Sequence, residues 1–215
     1  MKARSVKPFV TLLCLALSLG ACARNKEIVD GGIYVKRTGC PQVAIPVATG
    51  DLTVFDPASS SAASAIDVVA TITNVRSSCV QDATYLVSSV TFDVVATRRD
   101  RASARQVILP FFSTAVQGGS SVVAKHVGAV ALDFAAGSPR AATRGGATVR
   151  IARSAAALPA DILRELTRER KAGQADAAVD PLADPKVRDA VARASFEHLI
   201  GFQLSQEQLR YNATR

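Results

Sequence analysis

Two stretches decide how this chain folds: Ile66-Asp67-Val68-Val69-Ala70-Thr71-Ile72-Thr73 and Leu86 to Thr97, LVSSVTFDVVAT. In the first, Ile66, Val68, Ala70 and Ile72 alternate with Asp67, Thr71 and Thr73. In the second, Leu86, Val90, Phe92, Val94 and Ala96 share one face, opposite Ser89, Thr91, Asp93 and Thr97. A period of two is the mark of a strand with one buried face. Asn74 to Ala83, which contains Cys79, reads as their connection.

Working outward, the same alternation recurs. Gln106 to Ala115 reads as a third long strand after a charged turn at Arg98 to Arg101. Gly118-Gly119 signals a hairpin, because glycine reaches positive φ without steric cost. The return strand is Val122 to Phe134, with Val130, Leu132 and Phe134 on one face and Gly128 as a candidate bulge. Gly137 to Gly146 reads as a basic loop and Thr148 to Ile151 as a short strand. Upstream, Val43 to Val47 and Leu52 to Phe55 are strand-like pieces with Gly50-Asp51 between them, and Pro57 to Ala65 is a loop by composition. Closely spaced strands with turns between them predict a mainly β fold, an antiparallel immunoglobulin-like β-sandwich with one or two late α-helices.

The helices are expected as an insertion at about 159–194. Pro159 suits a first helical position and Gly173 an end, with Ile162, Leu163 and Leu166 as a narrow apolar stripe. Asp184-Pro185 caps a second helix reaching about Ala194. Phe196, Ile200, Phe202 and Leu204 then alternate as a last strand, with His198 on the same face. Ser205 and Gln208 form a capping box behind it.

The 215 residues carry 26 Lys+Arg against 18 Asp+Glu, a formal charge of +8, and 48% hydrophobic residues. Such a composition is neither charged nor Pro/Gly-rich enough for general disorder. No apolar run reaches the roughly 20 residues of a spanning helix, which argues against a polytopic membrane protein. Lys2, Arg4 and Lys7 precede an apolar run from Phe9 to Leu19, the pattern of a signal-peptide h-region.

That run ends in Leu19-Gly20-Ala21-Cys22, which resembles the lipobox of bacterial lipoproteins. The resemblance implies a signal peptide over 1–21, cleavage before Cys22, and lipid on the Cys22 thiol; the alternative is an ordinary secretory signal with a chance cysteine. The short, mostly polar stretch after Cys22 reads as a lipidated tether over 22–36, and the length of the chain suits a single domain over 37–215. Ala23 is not the aspartate that holds many such proteins at the inner membrane, so the expected location is the outer membrane, facing the periplasm. The chain further resembles uncharacterised proteobacterial envelope lipoproteins with an early Cys-Pro, here Cys40-Pro41, and a Gly-Phe-Gln-Leu ending, here Gly201 to Leu204. That second resemblance supplies no activity.

Processing would remove Cys14 with the signal and consume Cys22. Cys40 and Cys79 then remain, and two thiols in an oxidising compartment predict one disulfide, the alternative being two buried free thiols. Loss of Lys2, Arg4 and Lys7 lowers the charge from +8 to +5. In an exported chain this charge matches anionic envelope surfaces rather than nucleic acid. Arg140, Arg144, Arg164, Arg168, Arg170 and Lys171 are the candidates for such a contact; the alternative is a solvated helix face interspersed with Glu165 and Glu169.

No catalytic pattern stands out. GxSxG and SxxK are both missing, as are a phosphate loop and a dinucleotide fingerprint, so no cofactor is expected. With no CxxC and two histidines, His126 and His198, metal binding is not expected either. Both histidines fall at inward or near-inward strand positions. The leading expectation is a lipid-anchored, non-enzymatic binding or assembly module, partnered by the membrane through its lipid and by envelope proteins or anionic surfaces. The competing one is an envelope hydrolase whose site is assembled from distant residues.

Overall fold

The computed structural model describes residues 39–168, 173 and 178–214. The expected signal and lipobox, with Cys22, and Arg170 and Lys171 lie outside the described residues. Among the described residues, eight strands form two four-stranded sheets. Sheet A has the order β1 (Gln42–Ala44), β8 (Phe196–Phe202), β5 (Arg105–Gln117), β6 (Ser121–Phe134). Sheet B has the order β2 (Asp51–Phe55), β3 (Ile66–Gln81), β4 (Tyr85–Arg98), β7 (Arg140–Ala152). All pairings are antiparallel except β1 with β8. The expected β-sandwich with late helices is therefore present.

The alternation places the core. Val68, Ala70 and Ile72 on β3 and Val90, Phe92, Val94 and Ala96 on β4 point inward. They meet Leu109 and Phe111 on β5, Val130, Leu132 and Phe134 on β6, and Ile200 and Phe202 on β8. The Phe92 and Phe111 rings meet edge to face at 5.2 Å, an arrangement that lets one ring's positive edge meet the other's negative face.

Several sequence expectations need correction. Asn74 to Gln81 is strand, not connection. Asn74 takes a positive φ of 50° and the register shifts between Thr73 and Arg76, so a bulge interrupts the alternation and hides the strand's continuation. Gly137 to Gly146 is mostly strand too, because β7 is 13 residues long. Its Gly145 lies against the Phe92 ring, and a Cβ there would also come within 3.0 Å of Val130 on β6. Gly128 marks no bulge: the shift in that hairpin falls at Ala115/Val116. Gly128 instead makes room for Phe111, whose ring would lie 2.7 Å from a Cβ. The pieces around Gly50 do not form a hairpin, since β1 and β2 belong to different sheets.

The helices are α1 (Arg153–Ala156), α2 (Ala160–Thr167), α3 (Pro185–Arg193) and α4 (Gln206–Thr214). Ile162 of α2 packs on Val187 and Ala190 of α3, and Lys186 bonds Asp161 at 2.9 Å. Asp184 caps α3 by accepting from the Lys186 N–H. α2 stops at Thr167 rather than at Gly173. The Ser205/Gln208 box is closed in both directions, at 3.2 and 2.9 Å. α4 is pinned to the start of sheet B: Asn212 donates to the Ala48 and Asp51 carbonyls, and Tyr211 meets Phe55 edge to face.

Candidate functional site

Three inward positions on three strands carry polar side chains at one level of the core. Ser88 on β4 replaces an apolar residue between Leu86 and Val90, Ser113 on β5 does so between Phe111 and Ala115, and His198 on β8 between Phe196 and Ile200. Ser88 Oγ lies 3.0 Å from His198 Nδ1, and Ser113 Oγ lies 2.9 Å from His198 Nε2. A neutral imidazole donates from one nitrogen and accepts at the other, so one hydroxyl accepts from the ring and the other donates to it. Both ring nitrogens are satisfied. Because Ser88 comes from sheet B and the other two from sheet A, the bonds stitch the sheets together.

A serine within hydrogen-bond reach of histidine is the geometry of an activated nucleophile. The surroundings give it another character. Ser88, Ser113 and His198 are 1%, 0% and 0% exposed, so no substrate reaches them in this conformation. The third group on the ring is a second hydroxyl, which orients the imidazole without stabilising its charged form. Burial holds the His198 pKa below its ordinary value, favouring the neutral ring. The group acts as a polar layer that fixes how the two sheets meet. His126, expected inward or near-inward, is exposed, opposite Ser113 in the β5–β6 ladder.

Cys40 and Cys79 form the expected disulfide. Cys79 pairs with Ser88 in the β3–β4 ladder, so the bridge ties residue 40 to the level of the histidine layer.

Of the candidate basic residues, Arg140 and Arg144 project from the outer face of β7, and Arg164 and Arg168 belong to α2 and its end. Arg144 pairs with Asp93 at 3.1 Å, and Arg168 with Glu165 at 3.2 Å. Hydrogen bonds from Asn74 and Arg144 hold the Asp93 carboxyl below the usual carboxylate range. Arg164 turns back to the Ala160 carbonyl. The outer face of sheet B has a shallow, open concavity between Val69, Thr71, Val95, Thr97, Arg140 and Ala142, lined by single hydroxyls rather than by converging charges. Among the described residues, no three His, Cys, Asp or Glu side chains gather as a metal site.

The outer face of sheet A differs. Three cross-strand pairs of the β5–β6 ladder, Ile108 with Ala131, Pro110 with Ala129 and Phe112 with Val127, form one apolar stripe. Ile108 is 64% and Val127 51% exposed. Gln106 and Asp133, bonded at 2.7 Å, close one end of the stripe, and Lys125 sits over the Phe112 ring at the other. Val122 and Val123, further along β6 beyond Lys125, are also exposed. Exposed apolar patches rimmed by polar groups are common places of association. Sequence alternation alone did not reveal it, because the stripe depends on the register between two strands. No family model, curated protein or solved structure matches this chain.

Proposed function

We propose that the chain is a lipid-anchored envelope protein, attached through Cys22 to the outer membrane and facing the periplasm, where it works as a non-enzymatic binding or assembly module. The observation that carries the module reading is the apolar stripe of sheet A, from Ile108 to Val127. An uncovered apolar face of that extent is an association surface in a folded exported protein. The Cys40–Cys79 bond supports the compartment, since disulfides persist where the medium is oxidising. The lipobox resemblance at Leu19 to Cys22 supports the anchor.

A photo-crosslinking amino acid at Ile108, in intact cells, is expected to join the chain to a specific envelope protein, while one at Thr148 on the outer face of sheet B does not. Equal, unspecific labelling from both positions would overturn the module. Cys22→Ser is expected to abolish palmitate labelling and release the chain from membranes; membrane retention without lipid would overturn the anchor. The close Ser113–His198 pair gives the hydrolase reading its one support. Covalent labelling of Ser88 or Ser113 by a fluorophosphonate in the folded protein would favour it over the module.

A further inference from the structure

Sheet A has an edge that is open in a specific way. Among the described residues β6 pairs with β5 alone, as the outermost strand of its sheet. Its second half lies beside β7, where Val130 approaches Gly145. Its first half, Ser121 to Val127, is exposed on both faces. An edge strand of this kind invites pairing, and proteins that avoid it guard the edge with charge, proline or a bulge. β7, the edge of sheet B, is guarded in that manner by Arg140, Arg144 and Arg150, all outward. The first half of β6 carries one lysine, Lys125, and a register shift opposite Ala115/Val116, beside valines at 122, 123 and 127 that are exposed by 61%, 49% and 51%.

The hydrogen-bond pattern tells which backbone groups the edge offers. The Gln203 N–H donates to the Pro110 carbonyl, so Pro110 directs its backbone toward β8. Neighbouring residues in a strand direct theirs to opposite sides, so Phe111 and Ser113 bond toward β6. Their ladder partners Gly128 and His126 therefore face β5. Lys125 and Val127 consequently aim their N–H and C=O groups out from the sheet. Their side chains both lie on the outer face, Lys125 above the Phe112 ring at 5.8 Å and Val127 within the apolar stripe.

We propose that Lys125 to Val127 is a strand-addition site for an extended segment of a partner protein carrying an acidic and an apolar side chain two residues apart. This rests on the module reading above and names its partner's chemistry. The added strand would bond to Lys125 and Val127 through its backbone. Its side chains on the outer face would lie beside those two residues, the acid against the ammonium and the apolar group against the valine. Charge complementarity selects this occupant: Ser121 to Leu132 contains Lys125 and His126 and no acid. A second copy fits less well, because self-pairing would bring two Lys125-His126 doublets into one short ladder.

The test uses the folded protein and an acetylated, amidated octapeptide of alternating threonine and valine with one central valine replaced by glutamate, beside the same peptide with lysine there. The glutamate peptide is expected to slow amide exchange at Lys125 and Val127 and to bind at least tenfold more tightly than the lysine peptide. Lys125→Glu should reverse that preference. Val127→Pro removes an outward N–H without touching the β5 ladder, so it should abolish binding and leave the urea midpoint unchanged; should it shift the midpoint, Val127→Lys serves instead. No protection at these two amides, equal binding of both peptides, or protection that instead rises with protein concentration alone would each overturn the proposal. A crosslinked partner at Ile108 together with unprotected Lys125 and Val127 amides would sink strand addition and leave the module standing.

Discussion

The two apolar clusters of the sandwich core and the polar layer between them solve the same packing problem in opposite ways. On one side Phe92, Phe111, Phe134, Ile200 and Phe202 interlock from both sheets. On the other, Leu86, Ala115, Val149, Ile151 and Phe196 form a smaller cluster. Ser88, Ser113 and His198 separate them. Apolar contacts stabilise without direction, and many side-chain sets of similar volume satisfy them. A hydrogen-bonded layer adds little net stability but tolerates few alternatives, since any shift of register would strand a buried polar group. The clusters supply the stability; the layer specifies which residues face each other.

The largest effect should come from the apolar side. Phe92→Ala removes a ring 1% exposed and leaves a cavity, and should cost about 3–5 kcal/mol in urea unfolding. Replacing Cys40 and Cys79 together by serine frees a loop with a separation of 39 residues and should cost about 2–4 kcal/mol. Ser113→Ala leaves one imidazole nitrogen without its partner and should cost roughly 1–3 kcal/mol. A larger loss for Ser113→Ala than for Phe92→Ala would reverse the division of labour.

A titration sharpens the contrast further. His198 is held neutral by burial, with its folded pKa below the ordinary 6.5. As pH falls below about 6.5, the unfolded chain takes up this proton before the folded one does. The contribution is therefore full above pH 6.5 and is lost progressively below it. The urea midpoint should fall between pH 7 and pH 5, and that slope should flatten in His198→Gln. The smallest effect belongs to the surface: Val123→Lys on the open edge should change stability by no more than about 0.5 kcal/mol. A larger change would mean that this edge contributes to the fold rather than standing apart from it.

Much of the fold was legible because alternation, caps and turns are local. β4, the β5–β6 hairpin, the Asp184 cap and the Ser205/Gln208 box all follow from nearby residues. The pattern of β3 ends at Asn74 in the sequence, because a bulge there breaks the period. The first half of β7 reads as a loop because its alanines, glycines and arginines lack the usual strand composition; Gly145 is small to admit Phe92 from the neighbouring strand. The polar layer left a faint trace, a serine at an inward position in each of two strands and a histidine in a third. Their meeting depends on how two sheets stack, which no single strand records.

By itself, the sequence determined the mainly β architecture, the Asp184 cap and the Ser205/Gln208 box, because each depends on short-range chemistry, and it offered Cys40 and Cys79 as a disulfide pair. Only the tertiary structure decided that His198 is sealed between two serines while His126 stands exposed, and that β6 keeps an open apolar edge. Those features arise from register and sheet packing, where residues dozens of positions apart are brought to the same level.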